Sequence, residues 1–202
     1  MKFLITISLI ISIIFIILIA GCKVSEENKM LEGKNILIVI SPGNFRDEEL
    51  EIPKDRFLKE RANVIVSSTK TGEFTGMLGK KVWVHKTISE TSSDEFDAIV
   101  FIGGSGVDEY KLYENGEILN LTKKFYEKNK VVAAICLAPK ILANAGILKD
   151  KKATVFSGAV DYLKKHGAEV VNEHVVVSGK IITADGPHSA DDFADKIVKK
   201  LG

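Results

Sequence analysis

The residue best suited to covalent chemistry is Cys136, which stands between an apolar run and a helix-forming stretch. The run 131–135 predicts a buried strand, and 137–146 predicts a short helix. Ala134 and Ala138 lie two positions to either side of the cysteine. A strand that turns sharply into a helix needs small neighbours there, as at a nucleophile elbow. The spacing therefore predicts a sulfur presented at a tight strand-to-helix turn.

Such a position favours a reactive thiolate for two physical reasons. Unpaired N–H groups and the dipole at a helix N-terminus stabilise negative charge on sulfur. The carboxyl end of a central strand is also where open α/β sheets place their ligands. A buried structural cysteine is the alternative, because cysteines in apolar runs are commonly inert. The local sequence leaves both interpretations open.

Two further segments could complete a site. Gly103 and Gly104 begin a glycine-rich turn after the apolar run 98–102, and their backbone N–H groups could form an oxyanion pocket. The spacing matches neither a dinucleotide fingerprint nor a Walker loop, and a plain turn is the alternative. Four acidic residues also follow the first apolar run, namely Asp47, Glu48, Glu49 and Glu51. A solvated helix start explains them equally well, and the sequence does not show which carboxylate turns inward.

The four histidines, His85, His166, His174 and His188, differ in their surroundings. His188 lies in a loop between a strand and the last helix, at the rim where a parallel-sheet protein could hold its site, and it could serve as a base. The alternative is a solvent-facing residue at a helix start. No spacing among the four indicates a metal site, and we expect no metal and no cofactor.

The elements that must position these residues alternate between strand and helix. Strands are predicted at 36–40, 64–66, 98–102, 131–135 and 153–156, with helices between them, including one along 190–201. This alternation predicts an α/β fold, a flavodoxin-like doubly wound parallel sheet with helices on both faces. Residues 73–88 and a hairpin around Ser178-Gly179 predict small antiparallel additions.

The N-terminus has the character of a targeting segment. Lys2 precedes an apolar run that ends in Ile-Ala-Gly-Cys22, the pattern of a bacterial-type lipobox. Three alternatives stay open: cleavage with lipid attachment to Cys22, an uncleaved anchor near the lower length limit for a span, or cleavage and release. Residues 1–21 are therefore predicted to be a signal peptide or membrane anchor, 22–34 a polar tether, and 35–202 the domain. Each alternative places the domain outside the cytoplasm, and the first two hold it at a membrane.

Composition limits the partners. The 202 residues carry a formal charge of +1 with no basic block, so nothing indicates nucleic-acid binding. Cys22 and Cys136 are the only cysteines, so no disulfide framework can form within the domain.

Along 35–201 the sequence resembles the ThiJ/PfpI superfamily, whose fold is like that of class I glutamine amidotransferases. The segments that carry the resemblance are Ala133-Ala-Ile-Cys136-Leu-Ala-Pro139, Phe45-x-Asp47-x-Glu49-Leu50-x-x-Pro53, Phe101-Ile-Gly103-Gly104 and Thr183-x-x-Gly186-Pro187. The resemblance implies that Cys136 is catalytic and that Glu49 hydrogen-bonds its sulfur. It also implies that the glycine turn lies beside the cysteine and that the protein is a homodimer. The candidate oxyanion-binding residues are Gly103, Gly104 and Leu137.

A protonated Glu49 would donate to the sulfur and lower the cysteine pKa, because the bond to a thiolate is the stronger one. The resemblance implies attack on a carbonyl or controlled oxidation of sulfur. Three functions are then open. The first is a cysteine-dependent hydrolase or lyase of the glyoxalase or deglycase type that acts on a small carbonyl substrate. The others are a cysteine peptidase, against which Leu137 argues because protease-like members have histidine there, and a non-enzymatic redox sensor or holdase.

Overall fold

The computed structural model describes residues 29–202. A seven-stranded sheet forms the centre, in the order β10-β11-β7-β6-β1-β2-β5, and β10 alone among these strands runs antiparallel to its neighbour. Its strands are β1 (Asn35–Val39), β2 (Asn63–Ser68), β5 (Lys86–Thr87), β6 (Ala98–Phe101), β7 (Val131–Ile135), β10 (Val175–Ser178) and β11 (Ile181–Ala184). Two small sheets pair β3 (Gly72–Thr75) with β4 (Lys81–Val84) and β8 (Lys152–Ala153) with β9 (Glu169–Val170).

The helices cover both faces of the sheet, as predicted for a doubly wound fold. They are α1 (Asp47–Lys59), α2 (Gly106–Glu109), α3 (Gly116–Glu127), α4 (Pro139–Asn144), α5 (Val160–Lys165) and α6 (Ala190–Leu201). Alternate residues of β1 point to opposite faces: Leu37 packs in the core under α3 to α5, and Ile38 packs in the core under α1 and α6. The continuous apolar runs of the sequence arise from this burial on two sides.

The topology brings three loops to one edge of the sheet. From β1 the chain first adds β2 on one side and later returns to place β6 on the other, so a topological switch point lies between β1 and β6. Because β1, β6 and β7 are parallel neighbours, the loops after Val39, Phe101 and Ile135 leave from their shared carboxyl edge. Open α/β sheets bind ligands at this edge.

One predicted strand, 153–156, is corrected. Only Lys152 and Ala153 pair as a strand, and they do so outside the main sheet. The next N–H groups have partners elsewhere: Thr154 N donates to Thr183 Oγ1 at 2.9 Å, and Phe156 N donates to the Cys136 carbonyl at 2.9 Å. The segment therefore crosses the end of β7 and carries Phe156 to the cysteine.

The predicted antiparallel addition at 73–88 is the β3–β4 hairpin, and a buried carboxylate of α1 holds its turn. Asp47 accepts hydrogen bonds from the N–H groups of Leu78 at 2.8 Å and Lys80 at 2.7 Å. A Cβ on Gly76 would lie 2.5 Å from the Asp47 carboxylate, so a side chain there would push the carboxylate away from the two N–H groups that it binds. Asp47, one of the four acidic residues that the sequence could not distinguish, therefore points inward and has a structural role.

The predicted membrane-anchored location is corrected. Along residues 29–202, no helix has both the length and the apolar character needed to cross a membrane. The signal peptide or anchor at 1–21 and the lipid site at Cys22 lie outside the described residues. Packing also begins before the predicted start of the domain at 35, since Leu31 is 0 % exposed and its N–H donates to the Glu60 carbonyl.

We expect Asp47→Ala to lower the free energy of unfolding by about 1 to 3 kcal/mol, because it leaves two loop N–H groups without their acceptor. Chemical denaturation followed by circular dichroism measures this loss. Asp55→Ala, an exposed change on the same helix, is the control and should stay within about 0.5 kcal/mol. Equal stabilities for the two variants would show that Asp47 does not hold the hairpin.

Candidate active site

Cys136 is the first residue after β7 and adopts a left-handed backbone conformation with φ 62°. The surrounding backbone fixes this conformation, because Cys136 N donates to the Ala184 carbonyl at 2.9 Å and the Cys136 carbonyl accepts from Phe156 N. A positive φ at a residue other than glycine is strained and persists where neighbouring structure determines it. The sharp turn predicted from the sequence is present, and α4 begins three residues later at Pro139.

The glycine turn after β6 lies against the cysteine so closely that side chains would not fit. A Cβ on Gly103 would lie 2.5 Å from Cys136 Cβ and 2.7 Å from Glu49 Oε2. Gly104 has φ 100°, and a Cβ there would lie 2.4 Å from the Asn44 carbonyl oxygen. Both glycines are therefore required by the close approach of three loops.

Glu49 is completely buried in the first turn of α1. Its Oε2 accepts a hydrogen bond from Gly103 N at 3.0 Å, and Gly103 O accepts from Arg46 N at 3.1 Å. Its Oε1 is buried with no nitrogen or oxygen partner among the described residues, and the carboxyl interacts with the Cys136 thiol. Burial raises the pKa of Glu49 to about 7, and hydrogen bonds from Gly103 and Cys136 only partly oppose this rise.

The Cys136 thiol is also hard to ionise beside a charged Glu49. Burial, followed by the negative charge of Glu49, raises the pKa of the thiol to about 12, while the N–H groups of Gly104 and Leu137 lower it. The sequence led us to expect a lowered cysteine pKa, which requires Glu49 to be protonated. Because the two groups are coupled, the pair loses its first proton near pH 7, mainly from Glu49, and a thiolate arises when the remaining proton passes from sulfur to the carboxylate.

The predicted oxyanion donors divide into two roles. The N–H groups of Gly104 and Leu137 point at the sulfur and are placed to stabilise negative charge beside it. The N–H of Gly103 is already bonded to Glu49 and is not available to an oxyanion. Gly103 thus holds the carboxyl, and Gly104 and Leu137 are the donors that face the reacting atoms.

A cavity of about 400 Å³ opens over Cys136. The walls of the cavity are mainly apolar. Arg46 and Glu49 both line it, and Arg46 forms an ion pair with Glu48 at 2.8 Å. The residues that line the cavity are Arg46, Glu49, Met77, Gly104, Ser105, Cys136, Leu137, Phe156 and Pro187. No pattern in the sequence indicates Met77, because the β3–β4 hairpin that carries it is distant from Cys136 along the chain.

His188, the possible base, lies elsewhere in the structure. Its Nε2 is 3.1 Å from His174 Nδ1 and 3.2 Å from Asp185 Oδ1, and its side chain lines a neighbouring cavity. Phe156 belongs to the walls of both cavities. The structure therefore brings Cys136, Glu49 and the glycine turn together and places His188 in a second cluster. Sequence spacing missed this cluster because its members meet across a hairpin.

Comparison with known proteins identifies the family of the chain. The DJ-1/PfpI family pattern matches residues 34–200. A protein of Methanocaldococcus jannaschii whose function is uncharacterised is 46% identical over 179 residues, which cover 88% of this chain and 87% of that protein. A Thermococcus kodakarensis protein named a deglycase is 36% identical, and the Pyrococcus furiosus deglycase PfpI is 33% identical. Each alignment covers 82% of this chain and 98% of the relative.

Among solved structures, a ThiJ/PfpI domain protein from Brachyspira murdochii superposes with a TM-score of 0.80 at 39% identity, over 84% of this chain and 98% of that one. The chain belongs to the DJ-1/PfpI family. Its fold and the resemblance predicted from the sequence are confirmed.

If Cys136 and Glu49 ionise as a pair, the rate of Cys136 alkylation should rise with pH around a midpoint near 7. In Glu49→Gln the amide cannot take up a proton, so the midpoint should move upward by at least about one pH unit. Iodoacetamide labelling with peptide mass mapping separates Cys136 from Cys22. Glu48→Gln, which removes the smallest of the influences that raise or lower the pKa of Glu49, should lower the midpoint only slightly, and an unmoved midpoint in Glu49→Gln would contradict the pairing.

Burial of Glu49 also predicts a pH dependence of stability. A pKa raised from 4.5 to about 7 in the fold stabilises the protein below pH 4.5, and this contribution is lost as pH rises through 7. Relative to Glu49→Gln, the wild-type free energy of unfolding should fall by about 3 kcal/mol between about pH 4 and pH 8. Denaturant titrations across this range measure it. Parallel profiles for the two proteins would mean that Glu49 titrates normally.

Proposed function

We propose that this chain is a cysteine-dependent enzyme of the glyoxalase or deglycase type that acts on small reactive carbonyl compounds. The observation that carries the proposal is the pair of Cys136 and buried Glu49 at the base of a small, mainly apolar cavity, with two N–H donors aimed at the sulfur. Relatives that cover most of the chain are named deglycases, which supports the same class.

The first step follows from the arrangement of protons. In the singly ionised pair with its proton on Glu49, the Cys136 thiolate attacks the aldehyde carbon and forms a carbon–sulfur bond. The electrons of the carbonyl π bond move to oxygen, where the N–H groups of Gly104 and Leu137 stabilise them. Glu49 then gives its proton to that oxygen. The products of the step are a hemithioacetal and a Glu49 carboxylate.

For a 2-oxoaldehyde, the carboxylate left on Glu49 can continue the reaction. It removes the proton from the carbon that carries sulfur and returns it to the neighbouring carbon, while the hydroxyl proton passes to the second oxygen. The adduct is thereby isomerised to a thioester of a 2-hydroxy acid. Water hydrolyses this thioester, which releases the acid and restores the thiol. The aldehyde carbon is oxidised and the ketone carbon is reduced, so no external oxidant is needed.

The cavity favours this class over a peptidase. Leu137 occupies the position after the cysteine, so no imidazole stands there to serve as a proteolytic base, and His188 engages His174 and Asp185 instead. A volume of about 400 Å³ suits a small metabolite rather than an extended peptide. The predicted homodimer stays a prediction that light scattering can test.

We expect Cys136→Ser and Cys136→Ala to lower kcat for methylglyoxal by at least about 1,000-fold, because each removes the nucleophile. The measurement is the appearance of lactate, with a carbonyl assay to follow substrate loss. Cys22→Ser is the matched cysteine control and should keep wild-type turnover. Turnover that survives in Cys136→Ala would overturn the proposal. Sulfinic acid found at Cys136 after mild peroxide, without turnover in the wild type, would favour the redox-sensor alternative.

A further inference from the structure

A second group of chemically active side chains lies outside the cysteine cavity. His174, Asp185 and His188 turn their polar atoms toward one another at the end of the β10–β11 hairpin. His174 Nδ1 is 2.8 Å from Asp185 Oδ2, His188 Nε2 is 3.2 Å from Asp185 Oδ1, and the two imidazole nitrogens are 3.1 Å apart. The carboxylate therefore faces one nitrogen with each oxygen. We propose that these three residues bind a divalent transition-metal ion of the zinc type.

The backbone, rather than flexible side chains alone, brings the three together. The pairing of Val175 with Ala184 in the hairpin places His174 directly opposite Asp185, and Asp185 N donates to the His174 carbonyl at 3.1 Å. His188 follows Asp185 by three residues, in the single turn Pro187–Ser189 that leads into α6. A cross-strand pair and a neighbour one turn away form a site that exists before any ion arrives.

The protons of the cluster favour a cation at its centre. Each neutral imidazole carries one N–H, and the facing nitrogens of His174 and His188 can hold at most one proton between them. Two imidazole nitrogens and a carboxylate therefore converge on one place, and each of these groups can be a metal ligand. A metal ion satisfies all three donors together, which a single hydrogen bond cannot do.

The separations between donors fit a metal of this size. Zinc bonds to imidazole nitrogen and carboxylate oxygen at about 2.0 to 2.2 Å, so tetrahedral ligand atoms lie roughly 3.3 Å apart. The two facing nitrogens are 3.1 Å apart, and one ligand atom from each of the three residues lies within 4.8 Å of the others, so the carboxylate must move closer to one nitrogen when a single oxygen binds the ion. Two imidazoles and one carboxylate are also a ligand set that leaves a fourth position open, as in catalytic zinc sites.

The surroundings of Asp185 match those of a metal-bound carboxylate. Ser189 Oγ lies 3.0 Å from Asp185 Oδ1 and is placed to orient it, which is the role of an outer-shell partner. The Asp185 side chain is 22% exposed, whereas His174 and His188 are 75% and 59% exposed, so an ion can enter from solvent. The cluster lies beside a cavity of about 340 Å³ that Thr154, Ser157 and Asn172 help to line.

The site is separate from Cys136 but shares two structural elements with it. Phe156 lines both cavities, and Pro187, which lies in the chain between Asp185 and His188, lines the cysteine cavity. An ion bound here would fix the Gly186-Pro187 turn and with it one wall of the cysteine site. Metal binding itself requires neither Cys136 nor the proposed carbonyl chemistry.

The test is calorimetric titration of Zn²⁺ into the full chain without an affinity tag. We expect one equivalent to bind in the wild type and in a cysteine-free variant (Cys22→Ser with Cys136→Ser). His174→Ala, His188→Ala and Asp185→Asn should each weaken binding by more than the roughly 10- to 100-fold that is typical when an outer-shell partner is lost. Ser189→Ala should weaken it within that range.

His85→Ala, which removes an exposed histidine of the β3–β4 region, is the matched control and should bind as the wild type does. Zn²⁺ should also raise the thermal midpoint of the wild type and leave that of folded Asp185→Asn unchanged, which separates lost binding from lost structure. The proposal is overturned if the wild type takes up no zinc, if the cluster variants bind it as tightly as His85→Ala does, or if binding disappears only in the cysteine-free variant.

Discussion

The Glu49 carboxyl lies fully buried between Gly103 and the Cys136 thiol, and a charge at that depth is costly unless a partner shares it. Two interactions set its state: the Gly103 N–H donates to one oxygen, and the Cys136 thiol interacts with the carboxyl group. Because the pair loses only one proton near neutral pH, transfer of the remaining proton from sulfur to the carboxylate would form a thiolate without adding charge to the pocket. A carboxyl that can give up a proton and take it back beside a nucleophile is the central feature of this site.

The sheet order makes that contact possible. Glu49 follows β1, Gly103 follows β6 and Cys136 follows β7, and these three strands are parallel neighbours whose carboxyl ends meet at one edge. Two hydrogen bonds link the loops after β1 and β6. Arg46 N donates to the Gly103 carbonyl, and Gly103 N donates to the Glu49 carboxyl. Any side chain at Gly103 would push away the loop that carries Cys136. Glycine at this position is therefore necessary for the contact between Cys136 and Glu49.

The fold class and the sharp turn at Cys136 could be predicted from the sequence, because both depend on local pattern. Buried parallel strands read as continuous apolar runs, and a small-residue turn before Pro139 indicates where a strand becomes a helix. The features that the sequence did not predict depend on contacts between segments that are distant along the chain.

The inward orientation of the Asp47 and Glu49 side chains depends on which N–H groups approach from residues 78–80 and 103. The end of the predicted strand at 153–156 depends on acceptors at Thr183 and Cys136. The raised cysteine pKa depends on burial, which no spacing reveals.

The cluster of His174, Asp185 and His188 was not predicted for a different reason. The hairpin that brings these residues together could be recognised in the sequence. A hairpin centred on Ser178-Gly179 fixes its own register, and that register sets His174 opposite Asp185 with His188 three residues on. Spacing along the chain hides this arrangement, because ligands that meet across a hairpin have no fixed interval between them. Two of the three, Asp185 and His188, flank Gly186-Pro187, where the chain passes from the last strand to the last helix, and Pro187 lines the cysteine cavity. A turn that borders one site and carries the ligands of another gives the two sites a common wall, through which the state of one can alter the shape of the other.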